Sequence, residues 1–119
     1  GDDWPGLPRL GSMYEEGIGV FQDFGQAAAW YRREAERGEY EAQRSLADMY
    51  ESGRGVTQDF AQAFIWYSVN WMMYGAEMED YEEEFIMEKF AQLKDMLTKA
   101  DYKIAEKSAY ELYLKLESD

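Results

Sequence analysis

Apolar side chains recur along most of this chain at intervals of three and four, and glycines interrupt them in the same order twice. Between Glu39 and Ser52, residues Ala42, Leu46, Met49 and Tyr50 fall at i, i+4, i+7 and i+8, with Arg44, Asp48 and Glu51 on the opposite side. A stripe of that period is one face of an amphipathic helix, because 3.6 residues complete a turn. Phe60, Ala63, Phe64, Tyr67 and Trp71 repeat it in a helix expected to end near Tyr74. A helix from Phe24 to about Arg37 precedes these. A shorter one, from near Pro8 to about Glu16, comes first, since proline is tolerated only in a first turn. After Gly75 the stripe continues as Met78, Tyr81, Phe85, Phe90, Leu93 and Leu97, predicting a fifth helix from about Glu79 to Leu97. Thr98-x-x-Asp101 opens a sixth, to about Glu117, with Ile104, Ala105, Ser108, Ala109, Leu112 and Leu116 as its core side.

The punctuation is duplicated as well as the stripe. The segment from Leu10 to Tyr31 aligns without gaps on Leu46 to Tyr67, 36 residues later, with 14 of 22 positions identical. Average usage gives roughly one or two such matches by chance. In each copy a glycine follows the first helix (Gly17, Gly53), where a left-handed backbone can stop it. A short loop with a second glycine (Gly19, Gly55) turns a valine inward, and an aspartate (Asp23, Asp59) is placed to cap the next helix. Repetition at a period of about 20–50 residues marks a stacked array, in which a lone helix pair cannot cover its own apolar faces. The expected architecture is all-α: a right-handed α/α solenoid of about six helices in one domain spanning residues 1–119. Repeat one covers about 8–38, repeat two 39–75, and a closing helix pair 76–119.

Composition narrows the chemistry. There is no cysteine and no histidine, so thiol catalysis, thiolate metal sites and the commonest general base are excluded. The net charge of −13 repels nucleic acid and anionic membrane surfaces and suits basic partners. No apolar run approaches the ~18–20 residues of a membrane span. No signal pattern opens the sequence, so any targeting segment is expected to have been removed or never to have existed. The expectation is a soluble chain of the bacterial periplasm or cytoplasm, and the lack of cysteine does not choose between them. The glutamates and aspartates from Glu77 to Glu88 point around their helix and lack the loop that gathers calcium. They are read as a solvated face, or as a docking strip for a basic partner. No cofactor and no metal are expected.

The repeated residues Leu46, Met49, Tyr50, Gly53, Gly55, Val56, Gln58, Asp59, Ala63, Trp66 and Tyr67, with their partners 36 positions earlier, resemble the Sel-one-like repeat (SLR) family. Ala42-Gln43 and Arg33-x-Ala35-x-x-Gly38 fit the same pattern, and Leu97-Thr98 through Ile104-Ala105 resembles the helices that often close such arrays. The resemblance implies a protein-binding adaptor rather than an enzyme, of a kind used in bacterial signalling, host interaction and immunity against effectors. Secreted members stapled by cysteine pairs form a branch to which this chain does not belong, and their suggested penicillin binding does not carry over.

The Trp30-Tyr31 and Trp66-Tyr67 pairs are read as core, packing one unit on the next. Candidate partner-binding residues lie elsewhere. Glu41, Arg44, Asp48 and Glu51 of the third helix, with Ser12 and Glu15 of the first, form the expected concave wall. Trp71 and Tyr74 belong to a run, Trp71-Met72-Met73-Tyr74, so apolar on all sides that more than one neighbour must cover it, the closing pair first. Tyr110 and Leu114 lie opposite the core side of the last helix. The leading reading is a monomer that binds a protein partner, with an immunity or regulatory protein that neutralises an effector as its concrete form. A general adaptor fragment of a longer solenoid is the alternative, and a carboxylate- or metal-dependent hydrolase a distant third.

Overall fold

The computed structural model describes residues 9–118; the expected start of the first helix at Pro8 and the irregular segment before it lie outside them. The described residues form six α-helices: α1 (Leu10–Glu16), α2 (Phe24–Glu36), α3 (Tyr40–Ser52), α4 (Phe60–Tyr74), α5 (Asp80–Met96) and α6 (Lys99–Glu117). Each pairs with the next from α1 to α5 and α6 packs back on α4, as an α/α solenoid with a closing pair requires.

The duplicated punctuation folds the same way in both copies. Gly17 and Gly53 take φ of 72° and 75°, each returning its N–H to the carbonyl of Met13 or Met49 at 2.8 Å. Asp23 and Asp59 are extended (φ −154° in both), and their carboxylates accept from the N–H of Gln26 (3.1 Å) and Gln62 (3.0 Å). The identity at Gln22 and Gln58, which the helical pattern leaves unexplained, has a cause here. Each side-chain Nε2 donates to the carbonyl at the end of the preceding helix, Glu15 at 2.9 Å and Glu51 at 3.0 Å, satisfying an acceptor that the helix leaves free.

α4 is the centre of the molecule. Ala63 through Asn70 are all buried, because α3, α5 and α6 surround it. The expected amphipathic stripe of α4 is therefore buried on every side. α4 ends at Tyr74, and Gly75, at φ −56°, leads into a 3-10 turn, Gly75–Glu77. A β-carbon at Gly75 would stand 2.8 Å from the Trp71 ring, which accounts for the glycine.

Two stripes differ from expectation. On α5, Tyr81 is 72% exposed and Phe85 lies at the rim with its ring edge-on to Tyr67, while Ile86 and Leu93 are buried. The inward series is Ile86 and Leu93, both buried, with the partly buried Phe90 and Leu97, spaced i, i+4, i+7 and i+11 in chain order. It shares its last three members with the expected stripe, and the helix is turned by one residue at its start. On α6, Ile104 is 63% exposed rather than core; Ala105 and Ala109 are buried as expected and let α6 approach α4 closely, with Tyr102 beside Phe64 at 5.1 Å between ring centroids.

Candidate protein-binding face

The polar residues of α1, α3 and α5 come together on one face. At its first-repeat end, Tyr31 of α2 reaches through so that its hydroxyl donates to Glu15 at 2.7 Å and stands 3.3 Å from Ser12 Oγ. The second repeat copies this with Tyr67 and Glu51 at 3.5 Å. Arg54, in the loop after α3, lies 3.5 Å from Asp48 and 4.0 Å from Glu15, joining the two repeats. Lys89 of α5 pairs with Glu51 at 3.0 Å. Arg44 donates to the Tyr40 hydroxyl at 2.6 Å and lies over Phe85, its guanidinium carbon 4.6 Å from the ring centre. Tyr40 in turn donates to Glu82.

Burial, more than any neighbour, raises the Tyr31 hydroxyl to a pKa of about 12, and Glu15 adds to it; burial and the bond to Glu82 do the same for Tyr40. That bond holds the Glu82 carboxyl below its usual range. A tyrosine whose folded pKa is raised holds its proton more tightly when folded. Its contribution to stability is complete below the unfolded value near 10 and is lost as pH climbs through the folded value. Unfolding free energy should therefore fall between about pH 10 and pH 12. Tyr31→Phe should remove a late step from a tyrosinate absorbance titration and soften that fall, as denaturant melts across the same pH range would show.

Of the residues expected to bind a partner, Ser12, Glu15, Arg44, Asp48 and Glu51 are thus gathered on the face shared by α1, α3 and α5. Glu41 is exposed in the first turn of α3 and stands apart from these pairs. The others lie elsewhere. Tyr74 donates to the carbonyl of Gly38 and meets Tyr40 edge-on at 5.4 Å, fastening the end of α4. Trp71 lines a groove between α5 and α6, and Tyr110 and Leu114 are exposed on α6. Four residues of the face escape the sequence reading: Arg54, Lys89, Tyr81 and Phe85. Arg54 had a visible signal, since it stands where the first copy has Ile18. The other three follow the rotation of α5. Tyr81, Glu84, Phe85 and Glu88 line a shallow depression along the outer side of that helix. Among the described residues no group of three or more carboxylates converges where a cation could sit. None of their helices is long and apolar enough to cross a membrane.

Residues 9–39 and 41–68 each match the Sel1 repeat family. No curated protein matches the chain. Among solved structures, a protective antigen present in uropathogenic Escherichia coli strains and displaying an SLR fold superposes with a TM-score of 0.67 at 30% identity. The superposition covers 92% of this chain but only 24% of that one, so this chain spans about a quarter of its length. The matched segments coincide with the two copies seen in the helices, caps and loops, and the chain belongs to the Sel1-like repeat family, whose repeats serve as protein-interaction modules.

Proposed function

We propose that this protein recognises a partner with a basic surface through the face of α1, α3 and α5, and that it does so without catalysis. One observation carries the reading: Tyr81 is exposed and Phe85 partly so, along the side of α5 that bears Glu84 and Glu88. A run of glutamates alone is a solvated face. An exposed tyrosine ring set among carboxylates, beside a phenylalanine that already holds a guanidinium, instead offers a guanidinium or ammonium both a π surface and a counter-charge. Arg44 already uses the Phe85 ring in this way within the chain, which gives the geometry a precedent. Across the repeats Asp48, Glu15 and Glu51 continue the face as carboxylates held in ion pairs by Arg54 and Lys89.

The concrete form we favour is a bacterial immunity or regulatory protein, a small acidic body that covers the basic working surface of an effector. A second reading, that this fold works within a longer adaptor array, draws support from the length of the similar solved structure, of which it spans 24%.

An arginine-rich peptide serves as the probe. It should bind, and its affinity should weaken as salt rises. Reversing Asp48, Glu84 and Glu88 to lysine should weaken it about tenfold or more. Reversing Glu36, Glu111 and Glu117, which changes net charge equally on other surfaces, should cost little. Equal losses from the two triples would refute the assignment of the face, because bulk charge alone would then explain binding.

A further inference from the structure

The two closing helices do not close on each other. α5 and α6 both pack on α4, yet they diverge from Leu97 and scarcely touch. The gap is an apolar groove. Its floor is Phe64, Trp71 and Met72 of α4, with Phe90 on one bank and Tyr102 on the other, and its cavity volume is about 290 Å³. That is room for one or two bulky side chains. Toward the junction of the helices a second depression, which shares Tyr102 and Glu106 with the groove, forms a mouth with Lys94, Lys99 and Lys103 around Leu97. Asp95 and Glu106 also line this mouth.

Charge here runs against that of the whole molecule. On α6, Lys99, Lys103 and Lys107 share an exposed side with Tyr110 and Leu114, at the spacings i, i+4, i+8, i+11 and i+15, and Glu106 and Glu117 fall beside them at i+7 and i+18. Among the described residues, no carboxylate lies within 4.0 Å of the nitrogen of Lys94, Lys99, Lys103 or Lys107, although the chain carries 25 acidic side chains to 12 basic ones. On the other face, Arg44, Arg54 and Lys89 are all engaged with carboxylates or rings. Lys94 lies over the Tyr102 ring at 5.1 Å, with its ammonium at the groove mouth.

We infer that the α5–α6 groove is a second docking site, for an acidic amphipathic helix of a partner protein. The helix inserts one bulky apolar side chain over Met72 and sets carboxylates against Lys94, Lys99 and Lys103. Met72 suits such a floor, since a thioether on rotatable bonds adapts to the anchor it receives. The molecule then has two surfaces of opposite preference: a basic ligand along α1, α3 and α5, and an acidic one between α5 and α6. This inference stands independently of the proposed function.

Two peptides of about 16 residues, long enough for four helical turns, test it. Both carry leucine and phenylalanine anchors at helical spacing, one with glutamate elsewhere and one with lysine. The acidic peptide should shift the Met72 methyl resonance, and replacing its anchors by alanine should abolish that shift. Lys99→Glu/Lys103→Glu alters only exposed side chains, so its circular dichroism should match the parent; affinity for the acidic peptide should fall tenfold or more. The Asp48, Glu84 and Glu88 reversals should leave that affinity unchanged. The inference is overturned if the acidic peptide leaves Met72 unmoved, if the double lysine variant binds it as well as the parent does, or if the lysine peptide occupies the groove equally. Loss of arginine-peptide binding with the groove result intact would count against the proposed function alone.

Discussion

Trp66→Ala should lower the unfolding free energy by about 3–5 kcal/mol, measured by denaturant titration, as expected for a large aromatic deleted from a closed core. Trp66 is 2% exposed, on the helix that three others surround. Its counterpart Trp30 is only partly buried and carries Arg33 over its ring at 4.9 Å. Trp30→Ala should therefore cost less, about 1–3 kcal/mol, in proportion to the apolar surface it removes from water. The inequality is informative because both tryptophans occupy the same repeat position. Identical residues are forced by the repeat, whereas their contribution is set by what stacks against them. Should Trp66→Ala leave stability intact and abolish partner binding, the tryptophan would belong to the recognition surface and its assignment to the core would be wrong.

The second large effect concerns a glycine. Gly55 has a φ of 80°, and a β-carbon there would stand 2.2 Å from the carbonyl oxygen of Phe24 and 2.7 Å from its carbonyl carbon. The obstacle is backbone in the first turn of α2, so no rotamer change relieves it. Gly55→Ala should cost about 2–4 kcal/mol, combining left-handed strain with displacement of one repeat from the next. Gly19 is the equivalent position, with a φ of 76°, and among the described residues only Met13 Cε comes near its β-carbon position, at 3.6 Å. Gly19→Ala should cost only the conformational strain, about 1 kcal/mol. Thermal melts of the two variants side by side would show the difference. Equal costs would mean that the loop of the second repeat does not bear on the first.

Much of the fold is legible because the repeat signals are redundant. Asp23 and Asp59 cap, Gly17 and Gly53 stop, and the intervening stripes fix which side of α3 is buried. The same redundancy locates Ser12, Glu15, Arg44, Asp48 and Glu51 on one face. Outside the repeat no second copy corrects the phase. The residues from Phe85 to Leu97 support two stripes that share Phe90, Leu93 and Leu97, and local spacing cannot choose between them. The choice is made by α4, against which Ile86 is buried, and it turns Tyr81 outward and leaves Phe85 at the rim. Ile104 fails for a related reason. Apolar character suggests core, but close approach of α6 to α4 selects the small Ala105 and Ala109. The splay of α5 from α6 has no local signature, because it depends on both helices preferring α4 to each other.

Recognition through the face of α1, α3 and α5 is open to amide chemical-shift mapping with the arginine-rich peptide. Shifts are expected at Asp48, Arg54, Tyr81, Glu84, Phe85 and Glu88, with α2 and the outer side of α6 unmoved. Shifts confined to α2 and α6, with that face silent, would contradict it.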